Sequence, residues 1–173
     1  MIKKMTKYNT DNLFKHQILE KLVSEVYLYV CGSARCRSPA AARMAEEIAR
    51  ERNLEIEAYC TEAHNLYSCL IYGKPIEMRL PYLNLEEGSL FNHSRNGDKI
   101  DAVFVMETSI EQSCNEIIYS RKTKGQKIFY NGEIFCLNIP SMGWEKEDMR
   151  IKVREGIEKY VASLKTKKSA SLY

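Results

Sequence analysis

One segment has residue types and spacing suited to chemistry at phosphorus. Cys31-Gly32-Ser33-Ala34-Arg35-Cys36-Arg37-Ser38 follows a Cys-x5-Arg-Ser pattern, with a thiol, a guanidinium and a hydroxyl close together along the chain. A cysteine sulfur can attack phosphorus in line, and a planar guanidinium matches two phosphate oxygens at once. A hydroxyl such as Ser38 can donate to the sulfur and ease its departure when water hydrolyses the phosphocysteine. The amides of Gly32, Ser33, Ala34, Arg35 and Cys36, together with Arg37, would hold the dianion if the loop turned its N–H groups inward at the start of a helix. The competing reading is two ordinary thiols in a turn, and the flanking residues decide between the two.

The elements on either side favour the first reading. Val26–Val30 is β-branched, aromatic or aliphatic throughout, the pattern of a strand buried on both faces, and it ends at Cys31. Ser38-Pro39 supplies a cap residue followed by proline, predicting a helix start there. Ala41, Met44, Ala45, Ile48 and Ala49 then keep one helical face. A loop between a buried strand and a helix N-terminus is where an α/β sheet places its ligands.

The rest of the chain alternates strand and helix signals. Phe14, Ile18 and Leu22 suggest a helix before the first strand, so residues 1–24 read as a helical extension packing on a domain that runs from 25 to 173. Leu54–Tyr59 alternates apolar residues with Glu and reads as an edge strand. Thr61–Gly97, with Pro75 and Pro81, reads as loop with short helices. Asp101–Met106 is a second buried strand, followed by a helix carrying Ile110, Cys114, Ile117 and Ile118 on one face. A fourth strand is expected near Lys127–Tyr130, and Met149, Val153, Ile157, Tyr160, Val161 and Leu164 mark a closing helix. This order implies an α/β fold, a parallel sheet covered on both faces with right-handed crossovers.

Composition narrows the partners. In 173 residues, Lys and Arg outnumber Asp and Glu by 26 to 23, and the excess gathers in the Lys165–Lys168 tail, which leaves no footprint for nucleic acid. No apolar run approaches the roughly 20 residues a membrane span needs. Met1–Leu13 has no apolar signal core, and six cysteines are too few for a disulfide scaffold, so a reducing, cytoplasmic setting is expected. With no Cys-x-x-Cys pair and scattered histidines at 16, 64 and 93, neither a metal nor a cofactor is expected. Oligomeric state is not legible.

With these residues in place, the sequence resembles the low-molecular-weight protein tyrosine phosphatases, as a divergent member. The resemblance rests on Val30-Cys31 through Arg37-Ser38-Pro39. It extends through Tyr59-Cys60-Thr61-Glu62, Gly73-Lys74-Pro75 with Arg79, and His93-Ser94-Arg95 with Asp101–Met106, covering about residues 25 to 165. It implies a three-layer sandwich around a four-stranded parallel sheet and hydrolysis of phosphotyrosine or other aryl phosphates through a phosphocysteine. A phosphorylated protein or small aryl phosphate would be the partner. It also implies a redox-sensitive nucleophile, since the family's second loop cysteine, matched by Cys36, can form a reversible disulfide with it.

Two departures accompany the resemblance. Ala34 stands where the family has a bracing asparagine. Cys136-Leu137-Asn138-Ile139-Pro140 aligns with the loop that carries the family's aspartic general acid, and Asn138 has no proton to give at neutral pH. Glu145, Glu147 and Asp148 follow closely, Asp148 being the acid candidate taken forward. Losing a general acid costs typically 10²- to 10⁴-fold and spares aryl phosphates most. The alternative reading is therefore a weak or inactive relative that binds a phosphorylated partner. Arsenate reduction on the same scaffold is disfavoured, because Met106 and Cys114 do not supply the paired relay thiols expected there.

Overall fold

The uninterrupted apolar run at Val26–Val30 forms the middle of the molecule in a computed structural model that describes residues 24–81 and 93–170. Strand β1 (Glu25–Cys31) pairs in parallel with β2 (Ile56–Glu62) on one side and β5 (Ala102–Val105) on the other. Strand β6 (Ile134–Cys136) pairs in parallel with β5, so the sheet order is β2-β1-β5-β6. The four-stranded parallel sheet of the resemblance is present, and β2 lies at the edge where its one polar side placed it.

Both faces of β1 are used, as a strand apolar throughout requires. Tyr27, Tyr29 and Cys31 face helices α1 (Arg37–Glu51) and α4 (Lys146–Ala170). Val26, Leu28 and Val30 face α2 (Ala63–Tyr72) and α3 (Thr108–Thr123). The result is a helix–sheet–helix sandwich. Tyr29 stacks on Phe104 of the neighbouring strand at 5.0 Å between centroids, and such ring pairs add to the area they bury. Among the described residues no helix is long and apolar enough to cross a membrane.

Several expectations need correction. The fourth strand is not Lys127–Tyr130 but Ile134–Cys136. Phe129 instead packs near Gly73 and Gly97 with the Arg121 and Lys127 cations over its ring, and the Tyr130 hydroxyl donates to the Glu133 carbonyl. Strand β2 extends through Glu62, beyond Tyr59, because Cys60 and Thr61 are buried beside β1. Within Thr61–Gly97, expected as loop with short helices, the described residues hold one ten-residue helix and, unexpectedly, an antiparallel ribbon. Ala63, Leu66, Cys69 and Leu70 form the buried stripe of α2, which ends at Gly73 in the left-handed region, φ 70°. An antiparallel ribbon follows, β3 (Ile76–Met78) with β4 (His93–Arg95). The expected helix at 11–23 lies outside the described residues, as does all of the 1–24 extension but Ser24.

Candidate active site

The Cys31–Ser38 segment connects the carboxyl end of β1 to the first turn of α1. The helix begins two residues earlier than the Ser-Pro pair suggests. Cys36 is the N-cap, Arg37 the first helical residue and Ser38 the second, and Cys36 makes no side-chain cap bond. Pro39 is tolerated because amides in the first turn have no helical partner to lose. The Ser38 hydroxyl is used elsewhere. It lies 3.1 Å from the Cys31 Sγ and donates to the Thr61 carbonyl at 3.4 Å.

Among the described residues, none of the backbone N–H groups of residues 33–38 donates to a protein acceptor. Unspent amides gathered at a helix N-terminus form an anion site, and the helix dipole reinforces it. Gly32, Ser33, Arg35 and Cys36 are exposed along this loop, whereas Cys31, Ala34, Arg37 and Ser38 are buried. The six cysteines are all free thiols.

Arg37 is only 7% exposed, and its guanidinium bridges two other strand ends. Nη1 donates to the Ile139 carbonyl at 2.8 Å, and Nη2 pairs with the Glu107 carboxylate. Glu107 directly follows the β5 strand and Met106, and Ile139 N donates to the Met106 carbonyl at 2.9 Å. One side chain thus ties together the loops that follow β1, β5 and β6. Two of the five guanidinium N–H groups are committed in these bonds, so the fork retains donors for an anion.

A second arginine approaches the loop from behind. Arg79 is 4% exposed, and its Nη2 donates to the Ala34 carbonyl. Ala34 has φ 50°, in the left-handed region that a non-glycine residue seldom occupies. Nearby, burial pushes the Cys60 thiol up to about 11, with the Arg79 charge partly opposing that rise.

The residues aligned with the acid loop are arranged differently. The Asn138 Oδ1 accepts from the Thr108 hydroxyl at 2.7 Å and from the Cys136 thiol at 3.2 Å, and its carbonyl accepts from Lys152 Nζ at 2.9 Å. Its backbone is also left-handed, φ 51°, a region asparagine tolerates. Asp148 is exposed in the first turn of α4 and lines a cavity of about 470 Å³ with Asn138, Pro140, Trp144 and Lys152. Neither Cys31 nor Arg37 lines that cavity, although Ile139, whose carbonyl holds Arg37, does.

The structure therefore sets the Cys31 thiol beside the Ser38 hydroxyl, ties the Arg37 guanidinium to Glu107 and the Ile139 carbonyl, and leaves Asp148 in a cavity that Ile139 also lines. Glu107 was missed in the sequence. Its signal was an acid immediately beyond a buried strand, which becomes meaningful only once β5 is known to lie beside β1.

No protein-family model matches the chain, and no curated protein matches it. Among solved structures, the chain is similar to YfkJ from Bacillus subtilis, with 17% identity, a TM-score of 0.45 and coverage of 84% of this chain and 98% of that one. It is also similar to Wzb from Vibrio vulnificus in complex with benzylphosphonate, with 19% identity, a TM-score of 0.38 and coverage of 83% and 99%. A third similar structure is a low-molecular-weight phosphotyrosine phosphatase from Vibrio cholerae, with 16% identity, a TM-score of 0.40 and coverage of 84% and 97%.

Proposed function

We propose that the chain is a cysteine-dependent phosphatase that hydrolyses phosphotyrosine or other aryl phosphates. One juxtaposition carries this reading. A thiol at the end of the central strand lies 3.1 Å from a serine hydroxyl, under a helix-starting loop whose amides have no acceptor among the described residues. A buried arginine belongs to the same loop.

In this mechanism the loop amides and Arg37 bind the phosphate oxygens and stabilise their charge as it redistributes. The Cys31 sulfur forms an S–P bond while the P–O bond to the phenol breaks, and the electron pair leaves with the aryl oxygen. Water then forms a new P–O bond, the S–P bond breaks, and Ser38 donates toward the departing sulfur. Glu107 and the Ile139 carbonyl hold Arg37 in its plane. Asp148 is the carboxyl group proposed to assist leaving-group protonation, from the adjoining cavity.

One observation favours a second reading, a module that binds a phosphorylated partner without turning it over. Asn138 is an amide, and its oxygen is already occupied by Thr108 and Cys136. Turnover of p-nitrophenyl phosphate, compared between the wild type and Cys31→Ser, separates the two. Cysteine-dependent turnover with a phosphocysteine trapped by acid quench supports the enzyme. Equal rates in both proteins would falsify the nucleophile, and phosphate binding without turnover would select the binding module.

A further inference from the structure

We infer that Arg79 is the residue that holds the anion loop in its binding shape, by fixing the left-handed Ala34 from behind. The inference rests on the phosphate-site reading above and names a positioning residue that the loop motif does not contain. Four observations carry it. Ala34 is buried with φ 50°, a conformation that costs a non-glycine residue on the order of 1 kcal/mol or more and persists only where its surroundings impose it. The Arg79 Nη2 donates to the carbonyl of that same residue. The Arg79 main chain is itself fixed, since its N–H donates to the Cys60 carbonyl at 3.0 Å and its carbonyl accepts from the Cys60 N–H at 2.9 Å. Among the described residues no carboxylate pairs with the Arg79 guanidinium.

The physical consequence follows from how a loop becomes an anion site. N–H groups converge on one point only where neighbouring carbonyls turn away from it, which a residue in the left-handed region achieves. At Ala34 the outward carbonyl is received by a buried cation, and a hydrogen bond to a charged donor is stronger than a neutral one. The brace is anchored to β2, and β2 is paired with β1, so the loop is referenced to the strand that carries Cys31. Arg79 does this without touching the substrate.

The test is a double-mutant cycle, with phosphate titration as a second readout. In urea unfolding, Ala34→Gly should lower the unfolding constant roughly five-fold in the wild-type background, because glycine removes the left-handed penalty. With Arg79→Met the loop is free to relax, and the same glycine should gain less than about two-fold. In calorimetric titration with inorganic phosphate, Arg79→Met should weaken binding about tenfold, the scale of one lost charged hydrogen bond. Arg79→Lys, which keeps a donor, should recover most of that loss. An equal effect of Ala34→Gly in both backgrounds overturns the brace, whatever happens with phosphate. Coupling between the two sites without phosphate binding in any variant supports the brace and overturns the phosphate-site reading instead. Arg79→Gln takes the place of the methionine variant in the cycle should the latter fail to fold.

Discussion

The loops after β1 and after β6 lie at the same end of one parallel sheet, yet they are built to opposite purposes. In the first, the amides of residues 33–38 have no acceptor among the described residues, and strain at Ala34 is held by a buried arginine. In the second, Asn138 is an amide whose side-chain oxygen accepts two bonds and whose main-chain carbonyl is held by Lys152. Binding capacity is left open in one loop and polar capacity is consumed in the other. On the proposed reading, anion binding and proton donation are thus separable, and Arg37 is the physical link between the two loops, rooted beside the first and bonded to Ile139 in the second.

Mutations that break the first loop should have the larger effects. Cys31→Ser removes the nucleophile, and turnover of p-nitrophenyl phosphate should fall by at least about 10³-fold while inorganic phosphate still binds. Steady-state rates alongside a phosphate titration check both halves of that statement. Arg37→Lys comes next. An ammonium cannot replace the fork between Ile139 and Glu107, so kcat/KM should fall about 10²-fold and phosphate affinity about tenfold. Retained affinity in the lysine variant would mean that Arg37 is a tie between loops and nothing more. Ser38→Ala should lower kcat roughly tenfold and lower KM with it, leaving kcat/KM nearly unchanged, with the phosphocysteine accumulating because its breakdown, not its formation, needs the hydroxyl. A burst of p-nitrophenol at mixing is the signature to look for.

The difference between the two loops was partly readable in the chain. Val26–Val30 announced a central strand because apolar residues on both faces have no other stable use, and Cys31 and Arg37 could be placed from that alone. Strand β6 was misplaced because it is three half-buried residues paired only with β5, a signal too short to outweigh the aromatic run before it. The stripe of α2 was legible in principle, and the breakers Gly73 and Pro75 drew attention from it although they mark its end. The Ser38 hydroxyl reads in the sequence both as a helix cap and as a partner of the Cys31 sulfur, and of these only the second is present, joined by the Thr61 carbonyl on another strand, which no local pattern offered. Glu107 and Arg79 meet the loop only through topology, so no local pattern could have assigned them.

The smallest expected effects lie in the second loop and test how fully its polar groups are committed. Asn138→Asp places a carboxyl group at the aligned acid position, but Thr108 and Cys136 would go on donating to it, holding it as an ionised acceptor. Turnover should therefore change by less than about threefold, since a general acid must be free to give up its proton. Adding Thr108→Val removes one of the two restraints, and the double variant should be the more active of the two. Asp148→Asn should cost under tenfold, and the loss should grow with the basicity of the leaving group, because p-nitrophenolate departs without help and a tyrosine phenolate does not. A plot of rate against leaving-group pKa for the wild type and these three variants is the measurement. A loss near 10²-fold in Asp148→Asn confined to poor leaving groups would mean that the chain from Asn138 to Asp148 swings over Cys31 during turnover, and the separation between the loops would then belong to the resting enzyme alone.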